Sequence, residues 1–181
     1  MATITLKGQP IRTFGQLPLV GNPCPDFTLT GVDLGDITLT SLEGKRVILN
    51  IFPSLDTSVC ADSVLTFNQR AAEPSNTVVL CVSMDLPFAH KRFCGTQGVE
   101  RVVPASAFRS PEFGEWMGLR MEDGPLQGLL ARAIVALDEN GTVVHTQLVP
   151  ELTQEPDYDL ALGAIRNHHH PCPEDALEST E

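Results

Sequence analysis

Val47-Ile48-Leu49-Asn50-Ile51-Phe52 is an apolar run of strand length, and Pro53-Ser54-Leu55-Asp56-Thr57-Ser58-Val59-Cys60 then turns the chain into a helical pattern. Past Cys60, residues Ala61, Val64, Leu65, Ala71 and Ala72 fall near helical spacing, and Glu73-Pro74-Ser75-Asn76 supplies a stop. Thr77-Val78-Val79-Leu80-Cys81-Val82-Ser83-Met84 follows, apolar almost throughout, as in a strand covered on both faces. Strand, helix and strand make a βαβ unit.

The flanking chain extends this unit at both ends. Upstream, Thr3-Ile4-Thr5-Leu6 and Pro10-Ile11-Arg12-Thr13 flank Lys7-Gly8-Gln9 and predict a hairpin with a structural role. A Gly/Pro-rich passage, Gly21 to Asp26, leads to Phe27-Thr28-Leu29-Thr30 and the alternating Asp36-Ile37-Thr38-Leu39. Downstream, a short helix from Pro87 to Phe93 is expected to end at Cys94-Gly95, with a strand at Arg101-Val102-Val103 after it. Ser110 to Gly128 reads as a short helix and a long loop. Ala131 to Leu137, the turn Asp138-Glu139-Asn140-Gly141 and Thr142-Val143-Val144-His145 predict an antiparallel hairpin, because Asn-Gly favours such turns. Asp157 to Asn167 closes the pattern as an amphipathic helix with Tyr158, Leu160, Leu162 and Ile165. The order predicts an α/β protein of thioredoxin-like fold: a mixed central sheet flanked by helices, with an N-terminal β-hairpin. Residues 1–167 are expected to form one domain, and 168–181 a flexible acidic tail.

Composition narrows the functional classes. The 181 residues are 42% hydrophobic and 19% charged, enough for a sizeable core. A formal net charge of -11 argues against nucleic acid and against anionic membrane surfaces, which call for clustered Lys and Arg. The segment Met1 to Lys7 has neither the basic start nor the apolar centre of an export signal, so a cytoplasmic location is expected. Five cysteines, Cys24, Cys60, Cys81, Cys94 and Cys172, are an odd number with no C-x-x-C pair. That arithmetic disfavours a stapled scaffold and a zinc ribbon, and in a reducing compartment leaves transient, chemical disulfides.

Cys60 is the candidate nucleophile. With Thr57 as N-cap it occupies the third helical position, where unpaired backbone N–H groups and the positive helix end favour a thiolate. For any thiol, a fall in pKa from about 8.5 to about 6 raises the thiolate fraction at pH 7 roughly thirtyfold. Lost nucleophilicity removes about tenfold of that gain. The site must therefore also activate the molecule under attack. A hydroxyl one turn before the sulfur, Thr57, and a guanidinium in an otherwise apolar strand, Arg132, are the candidates.

Pro53-x-x-x-Thr57-x-x-Cys60 resembles the active-site signature of peroxiredoxins, and the string Asn50 to Cys60 is similar to the bacterial thiol peroxidase branch. Arg92-Phe93-Cys94-Gly95, Leu130-Ala131-Arg132-Ala133 with Asp138-Glu139-Asn140, and Glu155-Pro156-Asp157-Tyr158 resemble it too, so the likeness spans roughly Thr3 to Asn167. The resemblance implies that Cys60 attacks a hydroperoxide and becomes a sulfenic acid. It further implies that Thr57 orients peroxide and thiolate, Arg132 supports both charges and Pro53 shields the sulfur. Cys94 becomes the resolving cysteine, paired with Cys60 in an intramolecular disulfide that thioredoxin reduces. A homodimer, an apolar approach for alkyl hydroperoxides, and no metal, flavin or haem cofactor complete what the family implies. A redox sensor passing its disulfide to a partner protein is the rival reading, and a silent thioredoxin-like binding module a third.

Plainer readings cover the remaining residues. A lone Thr-x-x-Cys is more often a cap beside an inert thiol, and the distant matches reverse that preference here. Cys81, centred in an apolar strand, reads as core, and His145 as a surface histidine. Cys24 departs from the family pattern, and with Cys172 is expected to be open to stray intermolecular disulfides. His168-His169-His170 with Cys172 reads as solvated tail before metal site.

Overall fold

The computed structural model describes residues 1–168. The expected tail beyond His168, with His169, His170 and Cys172, lies outside the described residues.

Two sheets are present among those residues. Strands β1 (Thr3–Leu6) and β2 (Gln9–Arg12) form the hairpin. The main sheet contains β3 (Thr28–Thr30), β4 (Asp36–Thr38), β5 (Arg46–Ile51), β6 (Thr77–Ser83), β7 (Val103–Ser106), β8 (Ala133–Leu137) and β9 (Val143–Leu148). Its order is β4-β3-β7-β6-β5-β8-β9. Helices α1 (Ser58–Arg70), α2 (Pro87–Gln97), α3 (Glu112–Trp116) and α4 (Tyr158–Asn167) complete the architecture. It is the thioredoxin-like arrangement expected.

The centre of the sheet explains its sequence. β5 lies parallel to β6 and antiparallel to β8, so all six of its residues are buried. Alternation divides the four apolar ones between two cores. Val47, Leu49 and Ile51 enter one with Leu80, Val82, Phe113 and the hairpin residues Ile4 and Ile11. Ile48 enters the other with Cys60, Val64 and Phe67 of α1 and Ala161, Leu162 and Ile165 of α4. A strand covered on both faces has no polar side to show.

Several boundaries differ from expectation, each for a local reason. Gln9 pairs with Leu6, so the hairpin turn is only Lys7-Gly8, both at positive φ as a type I′ turn requires. Helix α2 runs past Cys94-Gly95 to Gln97, because the left-handed capping residue is Gly98 (φ 66). β7 begins at Val103, not Arg101, and tolerates Pro104 because β3 joins it only at Ser106. Strand β8 begins after Arg132, which therefore sits at its mouth. In α4 Leu160 is 58% exposed and Ala161 takes the inward position. Helix α1 buries Phe67, whose ring meets Tyr158 edge-on at 5.1 Å.

The path to Arg132 depends on a close backbone crossing. Ala131 donates its N–H to the Leu119 carbonyl at 2.8 Å, just after Gly118, which has φ 70. A Cβ on Gly118 would stand 2.2 Å from the Gln16 carbonyl oxygen, whereas one on Gly163 would meet nothing within 4 Å. Gly118→Ala is therefore expected to destabilise the protein by about 3 kcal/mol or more. Gly163→Ala in α4 should be neutral or stabilising by up to about 1 kcal/mol. Denaturant unfolding of the pair checks both.

Candidate active site

The end of β5 and the start of β8 are neighbours, with Ile51 opposite Ala133. That register brings the loop after β5 beside Arg132. Buried Pro53 starts the loop. The Ser54 carbonyl then accepts from the Thr57 N–H (3.2 Å) and the Thr57 hydroxyl (3.1 Å), closing a turn that ends at the N-cap. Cys60 follows as the third residue of α1 and is wholly buried. Below it Ser63 Oγ donates to the Cys60 carbonyl at 2.8 Å and accepts from Asn50 Nδ2 at 3.2 Å. A buried polar side chain near the end of β5, Asn50, thereby steadies the turn that carries Cys60.

Arg132 is 2% exposed. Its Nη2 lies 3.3 Å from Cys60 Sγ and donates to the Leu152 carbonyl at 2.9 Å, which Nε also reaches at 3.3 Å. Nη1 is buried without a partner. An unpaired buried donor ordinarily costs about 1–3 kcal/mol, so this one suits an acceptor that arrives from outside. Arg132 lines a cavity of about 150 Å³ with Pro53, Thr57, Leu6, Leu126 and Leu152. Such a cavity fits a small molecule with a polar end and an apolar body.

Thr57 is on the cavity wall, but its one hydroxyl proton is given to Ser54, not to Cys60. Its lone pairs are left to accept. The hairpin does more than the structural part expected of it, since Leu6 walls the cavity. Glu151 fastens it there, accepting from Thr5 Oγ1 (2.7 Å), Lys7 N (3.0 Å) and Gly8 N (3.1 Å). These donors, Thr5 first, pull the Glu151 carboxyl down to about 2. Leu152, the next residue, holds Arg132. Neither Glu151 nor Leu152 belongs to a local motif, and nothing in the sequence pattern singles them out.

Cys94 is half-buried on α2 and packs against the same core as Cys60, and both are free thiols. Burial raises its pKa. Cys24 is not the accessible thiol expected: it is 7% exposed, and burial, then Asp26, pushes it up to about 12. Cys81 is also pushed up to about 12 by burial, and Asn50 Nδ2 contacts its sulfur at 3.6 Å. His145 is half-buried rather than on the surface, which lowers its pKa. Among the described residues no group of three or more His, Cys, Asp or Glu is placed to hold a metal ion.

The Redoxin family model matches residues 19–162. A thiol peroxidase of Mycobacterium tuberculosis is 60% identical over 165 residues, covering 91% of this chain and 99% of that protein. The chain belongs to the thiol peroxidases of the Redoxin family. A thiol peroxidase of Corynebacterium glutamicum is 51% identical over the same coverage. The crystal structure of a peroxiredoxin-like protein from Aquifex aeolicus shares 36% identity with a TM-score of 0.86, covering 92% of this chain and 97% of that one. The thiol peroxidase likeness thus covers 91% of the chain.

Two raised thiols have a consequence for stability. Below about pH 9 Cys24 and Cys81 are protonated folded or unfolded, so their contribution is fully present. Above that, the unfolded chain releases protons that the folded one keeps, and stability falls as pH rises toward about 12. Denaturant midpoints are expected to drop between about pH 9 and about pH 12, and the drop should shrink in a Cys24→Ala/Cys81→Ala protein.

Proposed function

We propose that this thiol peroxidase reduces hydrogen peroxide and alkyl hydroperoxides at Cys60, with Cys94 resolving and thioredoxin regenerating the enzyme. The Cys60 thiolate attacks the distal peroxide oxygen. The O–O bond breaks, sulfenic acid forms, and the leaving oxygen takes a proton to depart as alcohol or water. Cys94 then loses its proton and its sulfur displaces the sulfenic oxygen, which leaves as water, to give the Cys60–Cys94 disulfide. A dithiol of thioredoxin takes over that disulfide by exchange.

The observation that carries this reading is the divided guanidinium. One nitrogen of Arg132 is on the sulfur, another is buried with no partner, and the residue lines the cavity. Such a fork can hold nucleophile and peroxide oxygen together and support charge on the leaving oxygen, which a point charge cannot do as well. Thr57 orients the peroxide through its free lone pairs, and buried Pro53 shields the sulfur from water. Leu6, Leu126 and Leu152 favour an alkyl tail. Burial keeps Cys94 a thiol until α2 opens, which preserves the sulfenic acid long enough for local unfolding.

We further infer a homodimer working in the cytoplasm, with residues 1–167 as one domain. Exposed Phe88 (64%) and Trp116 (50%) offer apolar surface for a subunit contact. Among the described residues no helix is long and apolar enough to cross a membrane.

Steady turnover of cumene hydroperoxide with thioredoxin and its reductase tests the function. Cys60→Ser should have none, and activity surviving in it would remove the mechanism. Arg132→Lys should lose about a hundredfold in the rate of Cys60 oxidation, the scale of one lost charge-stabilising donor. Cys94→Ser should oxidise once without turning over.

A further inference from the structure

The Cys60 loop and the Cys94 helix meet at a buried polar chain that the peroxide chemistry leaves unused. Ser83, the last residue of β6, is 0% exposed, and His90 in α2 is 1% exposed. Asp85 lies between them in sequence, half-buried. Its carboxylate accepts from Ser54 Oγ (2.8 Å), the Leu55 N–H (2.8 Å) and Ser83 Oγ (2.6 Å). Ser83 Oγ also stands 3.0 Å from His90 Nε2.

Chemistry fixes the protons along this chain. A carboxylate only accepts, so the single hydroxyl proton of Ser83 is given to Asp85. Toward His90 the serine oxygen can then only accept, and the imidazole must carry its proton on Nε2. Burial lowers the His90 pKa to about 4, so the ring is neutral at pH 7 and makes this bond as a single N–H donor.

The two ends of the chain reach the two cysteines. Ser54 closes the turn that makes Thr57 the N-cap, three residues before Cys60. His90 precedes Cys94 by one helical turn, on the same face of α2. The only buried residues of α2 are Pro87 and His90. An eleven-residue helix has little stability of its own, so its closure depends heavily on those two anchors.

We propose that Asp85 and His90 are positioning residues that, through Ser83, lock the Cys60 loop and the Cys94 helix closed as one unit and thereby set how fast the disulfide forms. The inference rests on Cys94 as the resolving cysteine. While the lock holds, Cys60 sulfenic acid stays beside Arg132, where a second peroxide can oxidise it to the sulfinic acid with loss of alcohol or water. When it releases, Cys94 reaches the sulfenic sulfur, an S–S bond replaces the S–O bond, and water leaves.

The test measures two quantities on the full-length reduced protein: the rate of Cys60 oxidation by cumene hydroperoxide, and the hydroperoxide concentration that converts half of Cys60 to sulfinic acid. Asp85→Asn and His90→Phe should raise that concentration about tenfold, the scale of one lost buried hydrogen bond. Both should slow the first oxidation, because the closed site is less populated. His90→Gln, whose amide N–H can replace Nε2–H, should stay within about twofold of the parent. An unchanged or lower half-conversion concentration in His90→Phe, or equal behaviour of His90→Phe and His90→Gln, overturns the proposal even if Asp85→Asn does not fold. Mass spectrometry separates the two readings. An intact Cys60–Cys94 linkage with unchanged overoxidation sinks the lock alone, whereas resolution of Cys60 at the parent rate in Cys94→Ser removes both.

Discussion

The contact between Arg132 and Cys60 is the constraint on which the rest of this structure depends. A guanidinium 2% exposed is costly to bury unless its donors are met. Leu152 meets two of them and Cys60 a third, sharing Nη2. Holding the Leu152 carbonyl in place requires the loop around Glu151, and Glu151 in turn requires the hairpin it caps. A small two-stranded sheet far from Cys60 in sequence is thus part of the same electrostatic arrangement. The central strands serve it too, because only the β5–β8 pairing places the mouth of β8 against the loop that leads to α1.

With Cys94 as the proposed resolving cysteine, that arrangement conflicts with the second half of the cycle. Attack on peroxide favours a closed, dry site with the Cys60 sulfur fixed against the arginine. Disulfide formation needs Cα atoms within about 7 Å, which two separate intact helices resist. The chain resolves the conflict by anchoring the two helices unequally. Helix α1 buries Val64 and Phe67 beyond its first turn and can lose that turn while the rest holds. Helix α2 buries little besides Pro87 and His90 and is the more easily released.

Much of this was legible in the residues alone, and the failures share a cause. β5, β6 and the β8–β9 hairpin announce themselves through apolar runs and Asn140-Gly141, since local pattern and tertiary burial agree there. Thr57 and Cys60 are legible because capping is a property of four consecutive residues. Cys94-Gly95 misleads as a helix end because glycine is only a permission for positive φ, and the residue that uses it is Gly98. Leu160 misleads because periodicity cannot say whether a large or a small neighbour faces the sheet. Asp85, Glu151 and Leu152 are invisible for a deeper reason. Each acts through bonds that cross long stretches of chain, Asp85 to Ser54 and Glu151 to Thr5, and no window of sequence contains both partners.

The central claim is that one site must assemble on Arg132 and then come apart for Cys94. Amide hydrogen exchange of the reduced protein and of its peroxide-oxidised form tests it most directly. The account predicts that oxidation removes protection in residues 57–62 and 87–97 together while β5, β6 and β8 keep theirs. Equal protection of both segments in the two forms would contradict it.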